Sequence, residues 1–264
     1  RCKEAGLKEF AHWMPGLTVL EKLDIGRELA LFQALFDDPA YRIDELKIYP
    51  TLVIPGTELY AQWKHGMYQP LTTEEAAELL IAMKKIVPPY IRIKRIMRDI
   101  SEHEAHAGAR TTNLRQLIAT IMERRNEHCF CIRCREVGLM AKKGIVADSI
   151  ELVRRDYDAS QGKEIFLSYE DIERNILVAF LRLRLDDGPA KIRELHVYGE
   201  SLPIGQRGGS QHSGYGTRLV AEAEALARES GKEKIIVTSG IGAREYYAKK
   251  LGYAFERPYM VKAL

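Results

Sequence analysis

Apolar residues in the first part of the chain follow two spacings, which change from segment to segment. Short runs that alternate or are continuous predict strands at residues 7–17, 46–54 and 90–97. Apolar residues at helical spacing predict a helix at residues 23–36, and another that follows the capping signature at Thr72 and runs through residue 86. Strands that alternate with helices indicate parallel βα units, here about three, too few to close a barrel.

The pattern changes near residue 150, where longer strands follow one another without helices between them. We expect antiparallel strands at residues 150–157, 164–170, 177–185 and 191–198, with a turn signal at residues 186–189 between the last two. A helix at 217–229, a strand at 234–239, a helix at 243–250 and a final strand complete a mixed sheet. A further helix is predicted at residues 113–125, and Gly6 is predicted to close the end of a helix.

Composition limits the class of protein. A chain of 264 residues with 46% hydrophobic content can bury the cores of one or two globular domains. No apolar run approaches the roughly 20 residues that span a bilayer, and the first residues have no signal-peptide core. We therefore expect a cytoplasmic protein without a membrane partner.

Positive charge is concentrated in the middle of the chain. Residues 84–155 contain 16 Lys and Arg against 8 Asp and Glu, although the whole chain has a net charge of only +3. Such clustering suggests a polyanionic partner. Solvated helix faces and salt bridges between domains are the alternatives.

Three of the four cysteines, Cys129, Cys131 and Cys134, lie within six residues. Disulfides between such close neighbours are strained, whereas zinc takes soft thiolate ligands in closed structural sites. The spacing therefore predicts a metal site, and three unpaired buried cysteines are the alternative. A metal there would join the end of the helix at 113–125 to a strand expected to start near Arg135.

A glycine turn stands between the strand at 191–198 and the helix that follows. Gly214 and Gly216, spaced Gly-x-Gly, let the backbone approach a ligand closely. The free N–H groups of a first helical turn favour an anion at such a place, so the turn is a candidate phosphate site. An ordinary helix start is the alternative.

The glycine turn and its flanks resemble known enzymes. Gln211-x-x-Gly214-x-Gly216 resembles the acetyl-CoA pyrophosphate loop of GNAT acyltransferases. Further segments resemble the catalytic subunit of Elongator, a tRNA wobble-uridine modifying family, in its archaeal or bacterial form. They are residues 46–51, 98–100, 113–115, 135–138, 193–199, 245–247, 251–253 and 258–262.

This resemblance implies an α/β architecture in three parts. Residues 1–100 are expected to be the C-terminal half of a partial radical-SAM βα barrel, residues 101–147 a basic linker with the cysteine cluster, and residues 148–264 a GNAT-type mixed α/β acetyltransferase domain. The full-length family also uses S-adenosylmethionine and a 4Fe-4S cluster. The cysteine triplet for that cluster, Cys-x4–9-Cys-x2-Cys, is missing here, so we expect a truncated form of a longer enzyme.

The resemblance also implies residue roles. The backbone of residues 194–197 would pair with the pantetheine arm of acetyl-CoA, and the glycine turn would hold its pyrophosphate. The acetyl-CoA residues are thus Glu194, Leu195, His196, Val197, Gln211, Gly214, Tyr215, Gly216, Thr217 and Tyr247. Tyr246 and Tyr247 diverge by about 100° on a helix, so one packs and the other can protonate the leaving thiolate. We favour Tyr247 as this acid, over Tyr246.

The remaining implied residues concern metal and RNA. His103 is expected as the fourth zinc ligand, with His106 and His128 also near in sequence. The anticodon region of tRNA is the expected partner of a basic set that comprises Arg92, Lys94, Arg95, Arg98, Arg115, Arg124 and Arg125. A homodimer is left open, and other Elongator subunits are expected only for a eukaryotic-like member.

The implied function is acetyl-CoA-dependent modification of tRNA at C5 of wobble uridine 34. Without the cluster ligands, we expect this chain to bind acetyl-CoA and tRNA and to hydrolyse acetyl-CoA. An N-acetyltransferase of a protein lysine or a small amine is one alternative. A tRNA-binding scaffold with a vestigial acyl site is the other.

Overall fold

The computed structural model of the chain describes residues 1–17, 24–97, 100, 104–111, 113–199 and 214–264. It divides into two compact units, one of residues 10–133 and the other of residues 1–9 together with 134–264. The three-part division expected from the sequence, with boundaries at 100 and 147, stays a prediction. Among the described helices, none combines the length and the apolar character needed to cross a membrane.

The unit of residues 10–133 contains a parallel three-stranded sheet in the order β1-β2-β3. The strands are β1 Phe10–Trp13, β2 Glu45–Ile48 and β3 Arg92–Ile96. The predicted strands at 7–17 and 46–54 are therefore too long, because the observed ones have four residues each. Pro15 and Pro50 follow them closely, and a proline cannot donate to a sheet ladder.

Helices alternate with these strands, as predicted. They are α1 Ile25–Asp37, α2 Glu58–Lys64, α3 Thr73–Ile86 and α4 Leu114–Arg124. The capping box at α3 is confirmed, since the Thr72 hydroxyl accepts from Glu75 N at 3.1 Å and Thr72 N donates to the Glu75 carboxylate at 2.9 Å. Helix α2 was not predicted from the sequence, although Thr57 caps it through the backbone N–H of Tyr60.

The basic face of β3 depends on an irregularity in its pairing with β2. Leu46 pairs with Ile93 but Lys47 pairs with Arg95, so Lys94 is the extra residue of a bulge. Lys94 and Arg95 are consequently both exposed, while Ile93 and Ile96 are buried. The bulge explains why the apolar spacing in this strand departs from strict alternation.

The segment before the second sheet differs from the prediction. Instead of a strand starting near Arg135, it forms two short helices, α5 Ile132–Arg135 and α6 Val137–Ala141. Local backbone bonds such as Met140 N to Glu136 O, at 3.0 Å, hold this conformation. Glu136 meets the sheet through an isolated bridge to Leu177, and the buried Arg135 guanidinium lies 2.8 Å from Glu170.

The other unit contains a seven-stranded sheet in the order β4-β5-β6-β7-β8-β10-β9. Its neighbouring strands are antiparallel except for β7 and β8, which are parallel. The elements are β4 Glu151–Ala159, β5 Gly162–Asp171, β6 Ile176–Leu185, β7 Ala190–Val197, α7 Tyr215–Glu229, β8 Lys234–Val237, α8 Arg244–Leu251, β9 Ala254–Glu256 and β10 Tyr259–Ala263. The mixed α/β order is confirmed. Two strands, β9 and β10, stand where the sequence predicted one final strand.

The two faces of this sheet have different chemistry. One face forms an apolar cluster with α7, in which Leu181, Leu183 and Ile192 pack near Leu219 and Val220. The other face carries Glu164, Arg184 and Arg193, all with side chains that are fully buried. Glu164 accepts from Arg184 at 3.1 Å and from Arg193 at 2.6 Å. Asp186 also pairs with Arg184, at 2.8 Å, so each buried guanidinium has a carboxylate partner inside the fold.

Residues 1–7 belong to the same unit and end in a glycine turn. Gly6 has a φ of 76°, and the backbone bonds from Gly6 N to Lys3 O and from Leu7 N to Cys2 O, both 3.0 Å, form a Schellman motif. The hydroxyl of Thr238 occupies the space where a Cβ of residue 6 would lie. The helix predicted to end at Gly6 is a turn instead, and both the backbone conformation and the packing require a glycine at this position.

Candidate functional site

Strands β7 and β8 pair over only three residues before they separate. The pairs are Ala190 with Ile235, Lys191 with Ile236, and Ile192 with Val237. On its other edge, β7 stays paired with β6 as far as Val197. Within the described residues, the edge of residues 193–197 that faces β8 has no strand beside it, so an extended ligand could add to it as a strand.

A bulge in β7 lies where the strands separate. Arg182 of β6 pairs with Glu194 and Leu183 pairs with Ile192, which leaves Arg193 as the extra residue. Glu194 accepts from Arg182 at 3.0 Å and from Lys8 at 2.9 Å. Burial alone would raise the pKa of Glu194, but the charges and hydrogen bonds of Arg182 and Lys8 outweigh burial and lower it. Glu194 is therefore an engaged carboxylate that is poorly suited to act as a general base.

The next residues of β7 divide between the two faces. Leu195 and Val197 pack against the apolar cluster, on the side of α7. His196 is exposed on the opposite side, where its ring is nearly parallel to that of Phe180 with the centroids 6.0 Å apart. The centroid of the Tyr198 ring lies 4.2 Å from the centroid of the His196 ring. The side chain of His196 thus extends an aromatic row along the sheet.

The first turn of α7 lies beside Leu195 and Val197 of β7. Gly214 precedes the helix with a φ of 69°, and among the described residues no atom lies within 4 Å of where its Cβ would stand. A Cβ on Gly216 would instead lie 3.2 Å from the Tyr246 hydroxyl and 3.3 Å from Val197 Cγ2. Gly214 thus borders open space, whereas Gly216 permits close packing between α7, β7 and α8. Gln211 lies outside the described residues.

The two tyrosines of α8 have different surroundings. The Tyr246 hydroxyl lies 3.3 Å from Thr217 Oγ1 in the first turn of α7. Tyr247 is 4% exposed within the apolar cluster, and burial, with a smaller effect of Tyr246, raises its pKa. The structure therefore brings Tyr246 to the glycine turn, and Tyr247 is the packing member of the pair. The preference for Tyr247 as the acid stays a prediction.

Comparisons with known proteins agree with this geometry. Residues 43–124 match the profile of the radical SAM C-terminal domain, and residues 139–253 match that of the acetyltransferase (GNAT) family. The chain is 46% identical over 278 residues to the tRNA uridine(34) acetyltransferase of Methanocaldococcus jannaschii, covering 99% of this chain and 51% of that protein. It is 43% identical over 276 residues to Elongator complex protein 3 of Danio rerio, covering 99% and 50%.

A solved structure extends the likeness to three dimensions. The archaeal Methanocaldococcus infernus Elp3 with an N-terminal deletion superposes with a TM-score of 0.90 at 46% identity, over 99% of this chain and 64% of that one. Over nearly its whole length, the chain is thus similar to proteins named Elongator complex protein 3 or tRNA uridine(34) acetyltransferase. It spans about half the length of the curated relatives it matches.

Three of the four cysteines come together in the structure. The sulfur atoms of Cys129, Cys131 and Cys134 all lie within 4.8 Å of one another. Cys129 and Cys131 are buried and Cys134 is partly buried. Three thiols gathered at this distance fit a soft metal ion. His103 lies outside the described residues, so the fourth ligand stays a prediction.

The basic residues expected to bind tRNA have mixed surroundings. Arg125 makes a bidentate pair with Glu78 at 2.7 and 2.6 Å, and Lys94 lies 2.9 Å from Glu45. Arg115 donates to the Ile93 carbonyl at 3.2 Å. The others differ in exposure: Arg95 and Arg124 are exposed, Arg92 is half-buried, and Arg98 lies outside the described residues. Ion pairing inside this unit therefore accounts for part of the basic set.

The buried ion pairs of the acetyltransferase-like sheet were not predicted from the sequence. Besides the Glu164 group, Glu170 accepts from Arg155 at 2.7 Å and lies 2.8 Å from Arg135. A usable signal was present, because Arg182 and Arg184 alternate with leucines inside a strand that is otherwise apolar. Charged residues at the buried positions of a central strand need partners of opposite charge.

Proposed function

We propose that the chain binds acetyl-CoA where β7 and β8 separate and takes part in acetyl-CoA-dependent modification of uridine 34 in tRNA. The observation that carries this proposal is the edge of β7 at residues 193–197, beside which the described part of the chain places no strand and which lies near the first turn of α7. An edge strand offers backbone N–H and C=O groups to the amides of a pantetheine arm, and a helix N-terminus favours a pyrophosphate. The family relationship supports the same ligand.

The residues around this opening can divide the chemistry between them. The backbone of Glu194, Leu195, His196 and Val197 would hold the pantetheine arm, and Gly214, Tyr215, Gly216 and Thr217 the pyrophosphate, together with Gln211. Tyr246 would protonate the departing thiolate, because its hydroxyl already lies beside the first turn of α7. Tyr247 is the alternative donor. Burial raises the pKa of Tyr247 and so weakens it as an acid.

The finer chemistry rests on the resemblance. Addition to C5 of uridine 34 by the full-length family uses S-adenosylmethionine and an iron-sulfur cluster. The cysteines gathered here are spaced Cys129-x-Cys131-x2-Cys134, which does not fit the cluster triplet. The proposed activities of this chain are therefore the binding of acetyl-CoA and tRNA and the hydrolysis of acetyl-CoA.

Two further assignments accompany this function. Cys129, Cys131 and Cys134 would hold a zinc ion, with His103 as the proposed fourth ligand, and the metal would act as a structural cross-link. The exposed residues Lys94 and Arg95 would contact RNA phosphates, because the bulge in β3 directs both outward. The partly buried Arg92 belongs to the same proposed surface.

Gly214→Leu should weaken acetyl-CoA binding at least tenfold, because its side chain would enter the open space at the start of α7. Gly231→Leu is the matched control, since Gly231 follows the other end of α7 with a φ of 72° and has equally open surroundings. Both variants should lose a similar 1–2 kcal/mol or so of stability from left-handed backbone strain. Titration calorimetry measures the affinity for acetyl-CoA. Equal affinity in the two variants would exclude this turn as the site of the pyrophosphate.

Lys94→Glu with Arg95→Glu should lower tRNA affinity and flatten its salt dependence by about one unit per lost phosphate contact. The control is Lys249→Glu with Lys250→Glu, an equal charge change at exposed positions of α8. Acetyl-CoA consumption should rise on addition of tRNA in the parent and the control but not in the β3 variant. Turnover of amines without RNA would favour the N-acetyltransferase alternative, and RNA binding without any turnover would favour a scaffold.

Cys131→Ser should lower both the zinc content and the melting temperature, because it removes a buried thiolate from the metal. Metal analysis of the purified parent should find about one zinc ion per chain. Cys2→Ser, an identical change at the exposed cysteine, should alter neither quantity. A metal-free parent of normal stability would contradict the zinc site and favour the alternative, in which the three cysteines are core residues without a metal.

A further inference from the structure

Strand β4 forms one border of the seven-stranded sheet, and among the described residues no strand lies beside its outer edge. Its nine residues, Glu151–Ala159, pair with β5 without a shift of register. The strand has neither a proline nor a bulge, two features that commonly block an edge strand. A long and regular edge of this kind is a template for pairing with another strand.

The hairpin turn between β4 and β5 determines which backbone groups of β4 face outward. Ala159 pairs with Gly162 across a two-residue turn, and both turn residues have a positive φ, at 49° and 61°. The residues that flank such a turn exchange both backbone hydrogen bonds, and bonded and non-bonded pairs then alternate along the strands. The N–H and C=O groups of Leu152, Arg154 and Asp156 consequently point away from β5. The side chains of these three residues are exposed.

The exposed charges on this edge complement those of an identical edge. Arg154 and Asp156 pair with each other at 2.7 and 2.8 Å. If two copies of β4 paired antiparallel about Arg155, Arg154 of each copy would lie opposite Asp156 of the other, and both residues direct their backbone groups outward. Moving the centre by one residue would instead oppose two arginines or two aspartates. Because opposite charges stabilise a cross-strand pair and like charges destabilise it, the charges favour the register centred on Arg155.

The other face of the edge fits the same register. Val153 of each copy would lie opposite Tyr157 of the other, and a β-branched residue with an aromatic one is a favourable cross-strand pair. Arg155 would meet its counterpart at the centre. Its guanidinium, however, already donates to the buried Glu170 carboxylate at 2.7 and 2.8 Å. The like charges at the centre are therefore offset within each copy.

We propose that two copies of this chain form a dimer in which their β4 strands pair antiparallel about a two-fold axis at Arg155. The assembly is closed, because each copy contributes the same edge and neither then has a second β4 to extend the sheet. Strand β7 is separated from β4 by β5 and β6, so the proposal is independent of the acetyl-CoA site. Pairing along a single strand buries a small area, so the dimer should dissociate on dilution.

Analytical ultracentrifugation over a range of protein concentrations tests this dimer. Arg154→Asp should weaken dimerisation roughly tenfold, because carboxylates then oppose each other across the interface. Combining Arg154→Asp with Asp156→Arg exchanges the two charges and should restore the dimerisation of the parent. Arg125→Asp is the matched control, since Arg125 is another exposed arginine with a bidentate partner, Glu78, at 2.7 and 2.6 Å. It should leave dimerisation unchanged.

A backbone variant tests the strand pairing itself. Asp156→Pro removes an N–H group that points away from β5, so it should prevent dimerisation while β4 keeps its bonds to β5. The melting temperature confirms that each variant folds. A parent that is monomeric at every concentration would overturn the proposal and leave the edge to a strand of another protein. A dimer that survives Arg154→Asp, or that the exchange of charges fails to restore, would also contradict this interface.

Discussion

The separation of β7 from β8 after three residue pairs is the constraint on which the rest of the site depends. Because β7 remains paired with β6, its backbone stays extended while its other edge is released. The bulge at Arg193 lies at the point of release, where such irregularities commonly bend a strand. The glycine turn and the first turn of α7 then meet the released edge, with Gly216 close to Val197.

Buried ion pairs support this edge from the opposite face of the sheet. Glu164 of β5 binds Arg184 of β6 and Arg193 of β7, so one carboxylate connects three neighbouring strands. Arg182 and Glu194 form a second pair at the bulge. Removing one partner of a buried pair typically costs about 3–5 kcal/mol, because an uncompensated charge is left behind. The network therefore penalises any rearrangement that would shift β7 from its place.

Features that depend on local sequence were predictable, and features that depend on tertiary packing were not. The capping box at Thr72 and the glycine turn at Gly6 follow from neighbouring residues alone. The predicted strands at 7–17 and 46–54 were too long because apolar content continued past the ends of the observed strands at Trp13 and Ile48. The segment after Cys131, which forms two short helices, was predicted to lead into a strand near Arg135. The orientations of Tyr246 and Tyr247 depend on where α8 packs, and the partners of Arg182 and Arg184 lie on other strands.

Amide hydrogen exchange on addition of acetyl-CoA tests the central claim most directly. If the pantetheine arm adds to the free edge of β7, exchange should slow at alternate residues within 193–197 and in the first turn of α7. The outer edge of β4, Glu151–Ala159, is an internal reference, because β4 is a long strand at the border of this sheet, away from β7. It should show no change. Binding of acetyl-CoA without protection of β7 would contradict the account.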